Sequence, residues 1–286
     1  MSEGAGATAG DAFVDLHAHS TASDGALPPT EAVAAAHAAG LRAFALTDHD
    51  TLAGIPEAQA KADALGLELI AGVELSVHHG EDEFHLLGLH VRDVEPLQQS
   101  LETIRGHRRT RAEEMVLRLQ SAGIDVTMEA VLAQAGTGAI GRPHVARAMV
   151  AAGHVRDIRE AFDRWLAYGK AAYVDKQRLD VADGIAMVHR TGGIAVIAHL
   201  GSDGTRALVE ALVPEGLDGI EVRHPSHSRE DEQRLTALTE HFGLVKSGGS
   251  DWHGAMHGAR VLGAMKVPYA WVEAQRQRVE QRRSGT

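Results

Sequence analysis

Seven short, continuously apolar runs are spaced along the chain, at 12–16, 43–46, 68–73, 84–91, 194–198, 219–222 and 244–246. Helix-like stretches fall between several of them, at 29–39, 55–65, 182–189, 205–212 and 229–241. Runs with no polar alternation are buried on both faces, and their alternation with helices predicts an α/β fold around a parallel sheet. In a parallel α/β barrel of the TIM-like kind, the carboxyl ends of all strands would open on one face and carry the active site.

The residues that follow these runs are not ordinary loop residues. Phe13-Val14-Asp15-Leu16 leads into His17-Ala18-His19, and Phe44-Ala45-Leu46 into Thr47-Asp48-His49. Ile70-Ala71-Gly72-Val73 leads into Glu74, and Ile194–Ala198 into His199. After 244–246 comes Ser247-Gly248-Gly249-Ser250-Asp251-Trp252-His253. A strand-end pair His17/His19 points both rings the same way. One such histidine beside a strand is usually a hydrogen-bonded core residue. Five strand ends carrying His, Asp or Glu are too many ionisable groups to bury without partners. Imidazole with carboxylate suits Zn, Mn or Fe. The candidates outnumber the three or so protein ligands of one catalytic zinc, so two or three divalent ions are expected.

The segment 97–169 reads differently. It holds ten Arg and no Lys against eight acidic residues, in a chain of 286 residues whose formal charge is −11. Its helices are expected over 97–121 and from about Met128, Pro143 and Val155. Arg105, Arg108, Arg109 and Arg111 form either a solvated face paired with Glu113 and Glu114 or a basic cap over an acidic catalytic domain. We expect a discontinuous barrel at 11–96 and 170–286, a helical insertion at 97–169 over the active site, and a loose tail at 1–10.

The acidic balance argues against long duplex nucleic acid, which needs Lys and Arg for phosphate neutralisation. Cysteine is absent, which excludes a disulfide scaffold, a thiol nucleophile and a zinc finger. No apolar run reaches the roughly 18 residues of a membrane span, and the first ten residues lack the cationic start of a signal peptide. A cytoplasmic protein is the default, and its oligomeric state is not legible.

At these residues the sequence resembles the PHP family, named for polymerase and histidinol phosphatase domains. The matching elements are Asp15-Leu16-His17-Ala18-His19-Ser20, Ser23-Asp24-Gly25, Thr47-Asp48-His49-Asp50, Gly72-Val73-Glu74, His85 in Phe84–Gly88, Ala198-His199 and Gly249–His253, in the family's order. The resemblance implies a distorted (β/α)7 barrel with a trinuclear metal centre. His17, His19, Glu74 and Asp251 would hold one metal, Glu74, His85 and His199 a second, and Asp24, His49 and His253 a third. Asp15 and Asp48 would orient imidazoles. Within the family the chain looks like small-molecule phosphoesterases with a helical insertion, among them 3′,5′-bisphosphate nucleotidases and 5′→3′ exoribonucleases acting on short RNA. The carrying residues are Gly141–Ala146, Gly169–Val174 and Glu221–His227. That likeness assigns substrate phosphate to Arg142 and Lys170, with His227 at the pocket edge.

The implied activity is metal-dependent hydrolysis of a phosphomonoester on a small nucleotide or a short RNA 5′ end. Glu74, His199, Asp251 and His253 stand at the reaction, with the acid for the leaving oxygen open among His199, His253 and His227. Metal-dependent C–N hydrolysis of the amidohydrolase type and a histidinol-phosphatase-like activity are the alternatives. The Arg142/Lys170 pair favours phosphate, since a planar guanidinium and an ammonium both match phosphate oxygens. Trp165, Tyr168 and Tyr173 are expected in the core, with stacking on a nucleobase as the other reading.

Overall fold

A computed structural model describes residues 12–135, 140–175 and 178–285. The expected tail at 1–10 lies outside them. The chain divides into an α/β unit, running to Gln98 and again from Leu179, and a helical unit, Gln99–Arg178. No described helix is long and apolar enough to cross a membrane.

The α/β unit holds nine described strands: β1 (Phe13–Asp15), β2 (Ala43–Leu46), β3 (Glu68–Ala71), β4 (Val73–His79), β5 (Asp82–Leu89), β6 (Ile194–Ile197), β7 (Gly219–Arg223), β8 (Val245–Gly248) and β9 (Val267–Pro268). They form two mixed sheets, ordered β3-β2-β1-β9 and β4-β5-β6-β7-β8, and not one closed parallel ring. Two strands are reversed. The two-residue Gly80-Glu81 connection forces β5 antiparallel to β4, because a parallel partner needs a long crossover. β9 returns antiparallel to β1. The sheets meet just past the strand ends through parallel bridges Ala18↔Trp252 and His49↔Glu74. Both bridges lie among the candidate ligands.

Every residue of β2 and β6 is buried, as their unbroken apolar sequence predicts. The core includes Val14, Leu16, Ala45, Leu87, Val196 and Val245. The covering helices carry ordinary start and stop signals. α1 (Pro29–Ala38) opens on proline, whose missing N–H has no helical partner there. α2 (Ile55–Leu65) ends at Gly66 in the left-handed conformation. The helical unit begins within α3 (Val94–Ser121) and continues through α4 (Met128–Ala135), α5 (Arg142–Ala151) and α6 (Ile158–Ala161). Its own core joins Met115, Leu119, Val131, Val145 and Met149, whereas Leu117 is 62% exposed. α6 runs into a π-turn, Phe162–Leu166. Beyond it come α7 (Val181–Arg190), α8 (Arg206–Leu212), α9 (Arg229–Phe242) and α10 (Tyr269–Ser284).

Candidate metal centre

The expected ligands come from different strands and meet around one carboxylate. Glu74 is 1% exposed. Its Oε2 lies 3.1 Å from His17 Nε2, 3.2 Å from His19 Nε2 and 3.3 Å from His49 Nδ1. Its Oε1 lies 2.7 Å from His85 Nδ1 and 3.0 Å from His199 Nε2. Asp251 Oδ1 closes the first group, 3.1 Å from His19 Nε2 and 3.5 Å from His17 Nε2. A third group is more open. Asp24 Oδ1 is 3.2 Å from His253 Nε2, and Asp24 Oδ2 is 3.9 Å from His49 Nε2.

This packing fits cations better than it fits hydrogen bonds. A neutral imidazole has one N–H to give, and a carboxylate has about four acceptor sites. Five imidazoles on Glu74 exceed that capacity. His19 is wholly buried, yet neither of its ring nitrogens finds a hydrogen-bond partner. Its Nε2 is close to two carboxylates without pointing at either, the disposition of ligands aimed at a common centre. The donor atoms fall into sets that could each hold an ion: His17, His19, Glu74 and Asp251; Asp24, His19, His49 and His253; and His49, Glu74 and His85. His199 joins the last through its 3.1 Å approach to His85.

Charge in the pocket follows the same geometry. Burial alone would neutralise Glu74, but His17 beside it holds its carboxyl well below the usual range. Burial likewise opposes a proton on His17, and the carboxylates of Glu74 and Glu221 outweigh it and raise its pKa. Asp24 is pushed down to about 2, burial being overcome by His253 and His49.

The backbone is strained where the ligands sit. His199 (φ +29°) and Asp251 (φ +50°) both lie in the left-handed region without being glycine, a cost that packing must hold in place. Gly249 is needed for a different reason: a Cβ there would collide with the His17 backbone.

Two expectations are corrected. Asp15 and Asp48 do not orient imidazoles. Asp48 accepts from Ser20 N (2.7 Å), Ser20 Oγ (2.8 Å) and Ser23 Oγ (2.6 Å), which fixes the loop after His19. Asp15 accepts from the backbone N–H groups of Ser250 and Gly263, each at 2.9 Å, and so ties the Asp251 loop to β1. A carboxylate one or two residues before a histidine is better placed for neighbouring backbone and hydroxyl donors than for that ring's far edge.

The imidazole-orienting group is Glu221, which strand-end reasoning missed because it lies inside β7. It is fully buried, takes the His17 Nδ1–H at 2.9 Å and accepts the backbone N–H of His199 at 2.8 Å. One carboxylate thus leaves His17 Nε2 free for the centre and clamps the strained His199. An acid at the third position of an apolar run was the available signal. His224 was also missed. Its Nδ1 faces Ser226 Oγ at 2.7 Å and its Nε2 faces Asp251 Oδ2 at 3.4 Å, while Arg260 pairs with the same oxygen.

The phosphate candidates are placed as follows. Arg142 opens α5 in the helical unit, with its guanidinium 5.5 Å from the Tyr173 ring and 5.8 Å from Phe162. Lys170 is exposed in the turn after Gly169. His227 belongs to the α/β unit, and both of its nitrogens are engaged: Nδ1 donates to Val222 O at 2.9 Å and Nε2 accepts from Gly201 N at 3.1 Å.

Comparison with known proteins agrees with this chemistry. A sequence profile of the PHP domain matches residues 15–178. A 3′,5′-nucleoside bisphosphate phosphatase from Chromobacterium violaceum is 39% identical over 259 residues, 88% of this chain and 91% of that protein. A 5′–3′ exoribonuclease from Haemophilus influenzae is 38% identical over 245 residues, 84% of this chain and 89% of that one. A solved structure from Bifidobacterium adolescentis, described as a metal-dependent phosphoesterase, superposes with a TM-score of 0.72 at 31% identity, covering 93% of this chain and 96% of its own.

Proposed function

The chain belongs to the PHP domain family and is a metal-dependent phosphoric ester hydrolase; from that premise we propose that its substrate is a small nucleotide, with the 3′-phosphate of a nucleoside 3′,5′-bisphosphate or the 5′ end of a short RNA as the bond attacked. The observation that carries this reading is Glu74 shared among His17, His19, His49, His85 and His199. The relatives named as a bisphosphate phosphatase and an exoribonuclease support the substrate class.

Two or three divalent ions, Mn, Zn or Fe, fit the donor sets. His17, His19, Glu74 and Asp251 would hold one; Glu74, His85 and His199 another; and Asp24, His49 and His253 a third. Such ions supply Lewis acidity toward a phosphoryl group and activation of water. The protein's part is placement. Glu74 presents one oxygen to each of the first two ligand groups. Glu221 keeps the His17 proton on Nδ1, and Asp15 and Asp48 fix the loops that carry Asp251 and His19. His253, half-buried on the open side beside Asp24, and His199 would stand at the reaction as ligands. Arg142 and Lys170 neutralise substrate phosphate. His227 serves by holding Gly201, and through it the turn that follows His199. The two sheets joined by the Ala18 and His49 bridges are read as the distorted (β/α)7 barrel of the family.

Release of inorganic phosphate from nucleoside 2′-, 3′- and 5′-phosphates and bisphosphates, and of phosphate or nucleoside 5′-phosphate from short RNA, with added Mn, tests the proposal. Turnover should be highest for a bisphosphate or a 5′-phosphorylated oligonucleotide. Hydrolysis of an amide panel without phosphate release would overturn it.

A further inference from the structure

The helical unit carries an aromatic surface that the metal centre does not use. Tyr168 is 84% exposed, although its sequence context predicts a core residue. It stands edge-on to Tyr173, with ring centroids 5.3 Å apart and planes at 73°, so one face of its ring is left to solvent. The segment that presents it is unusual. The π-turn Phe162–Leu166 is a rare backbone form that recurs at functional sites. The chain then turns through Gly169 at φ +75°, which leaves Tyr168 at the tip.

Cations without acid partners adjoin these rings. Arg142 lies over both Tyr173 and Phe162 and makes no salt bridge among the described residues. Arg111, on α3, gives its Nε–H to Val174 O at 2.9 Å, but its Nη2 is buried with no acceptor. Arg142 is near enough for its charge to disfavour the charge on Arg111, after the larger effect of burial. Asp175 offsets part of this repulsion, and its carboxylate is already bonded to the Tyr173 hydroxyl at 2.9 Å. The neighbouring Arg109 and Arg118 are instead neutralised by Glu113 and Glu114. Two guanidiniums left in excess beside a bare aromatic face match a ligand that alternates anions with flat rings.

We propose that Phe162–Tyr173, with Arg111 and Arg142, is a platform for single-stranded nucleic acid, on which Tyr168 stacks a base while the two guanidiniums hold an adjoining phosphate. Stacking tolerates any base, and phosphate contacts fix register without reading sequence. The platform therefore favours a short oligonucleotide over a lone phosphate ester. This substrate class rests on the phosphoesterase reading above, but the surface itself is testable without turnover.

Anisotropy of a 3′-labelled pentaadenylate with a 5′-hydroxyl, added to the Mn-loaded protein, reads binding directly. Tyr168→Ala should weaken binding about tenfold, and Tyr168→Phe should restore it, since it keeps the ring face. Tyr168 is exposed, so neither change should perturb folding. Arg111→Ala should weaken binding and flatten its dependence on salt by about 0.7 in log K per log salt, as expected for one lost phosphate contact. Arg111→Lys should keep the salt slope and guards against misfolding of the alanine variant. Equal affinity of wild type and Tyr168→Ala, equal weakness of the Ala and Phe variants, or duplex RNA binding as tightly as the single strand would each overturn the platform. Failure of the wild type to release either phosphate or AMP from 5′-phosphorylated pentaadenylate, with this binding pattern intact, would instead count against the phosphoesterase reading.

Discussion

Two buried histidine–carboxylate networks occupy opposite ends of the same strands. On the face where β1, β2 and β6 end, Glu74, the second residue of β4, is ringed by five imidazoles and touches no Arg or Lys among the described residues. At the amino ends, Asp218 is equally buried, and it is held by directed bonds, with Arg278 as a looser ion pair at 3.8 Å. Its Oδ2 accepts from His189 Nε2 at 2.7 Å and from Ala195 N at 3.0 Å, and its Oδ1 accepts from Arg282 at 2.9 Å. Arg282 also donates to His189 Nδ1 at 2.7 Å. The lower network brings its own cation from α10. The upper one has a surplus of lone pairs at Glu74, and Arg260 reaches Asp251 at its edge but not Glu74. Residue types alone do not separate a structural network from a metal site; the source of the positive charge does.

That contrast predicts opposite losses. Glu74→Ala should cut turnover by about 10³-fold or more, beyond the cost of one stabilising donor. It should also strip bound metal, seen by elemental analysis, and leave the fold intact by circular dichroism. Full turnover by a metal-free Glu74→Ala protein would break the comparison at its upper end. Asp218→Ala should do the reverse. It strands His189 and Arg282 around a lost charge and costs about 3–5 kcal/mol of stability. Metal content per folded molecule should hold while the thermal midpoint falls by about 10 °C. Loss of metal at an unchanged midpoint would make Asp218 part of the centre.

The upper network was the more legible of the two. Ligands at strand ends advertise themselves, because a run such as Phe44–Leu46 has no other reason to stop at Asp48-His49. Inside a strand the signal fades, so Glu221 passed as one acid in β7. The polar residues of β4, Ser76, His78 and His79, concealed a strand that is buried at every position but Ser76 and His79. α10 was concealed by its charge: its buried residues Tyr269, Val272, Gln275 and Val279 keep a helical spacing, but Arg276, Arg278, Arg282 and Arg283 dilute it. Arg278 and Arg282 feed the lower network, so it was unreadable without the helix that supplies them. Tyr168 shows the limit of composition, since nothing local separates an exposed tyrosine from a buried one until the π-turn is in place.

Glu221 sharpens the comparison, being a saturated carboxylate within the unsaturated cluster. Glu221→Gln should lower metal affinity about 10–100-fold, measured by chelator competition, with little change in the fold. The amide can accept from His17 or from the His199 N–H, but its NH2 group must then face the other donor. Unchanged affinity would show that His17 is oriented by packing alone.

The smallest effect belongs to His90, which faces α10 at the lower end. Burial is the main reason its pKa falls to about 4; the Gln275 contact opposes the fall, and the charges of Arg276 and Arg92 add to it. Both arginines are paired, with Glu68 and Glu280. The folded protein therefore keeps His90 neutral where the unfolded chain, titrating near 6.5, takes up a proton. Its contribution to stability is complete above about pH 6.5 and is lost as the pH falls toward 4. Between pH 7 and pH 5.5 the loss should be about 1 kcal/mol. His90 sits at φ +58°, and asparagine tolerates that conformation. Urea midpoints of wild type and His90→Asn at the two pH values, with metal held saturating, isolate the effect from the other histidines. Equal pH slopes for the two proteins would mean that His90 is solvated well enough to titrate in the folded state, and the lower end would then be less dry than the Asp218 network implies.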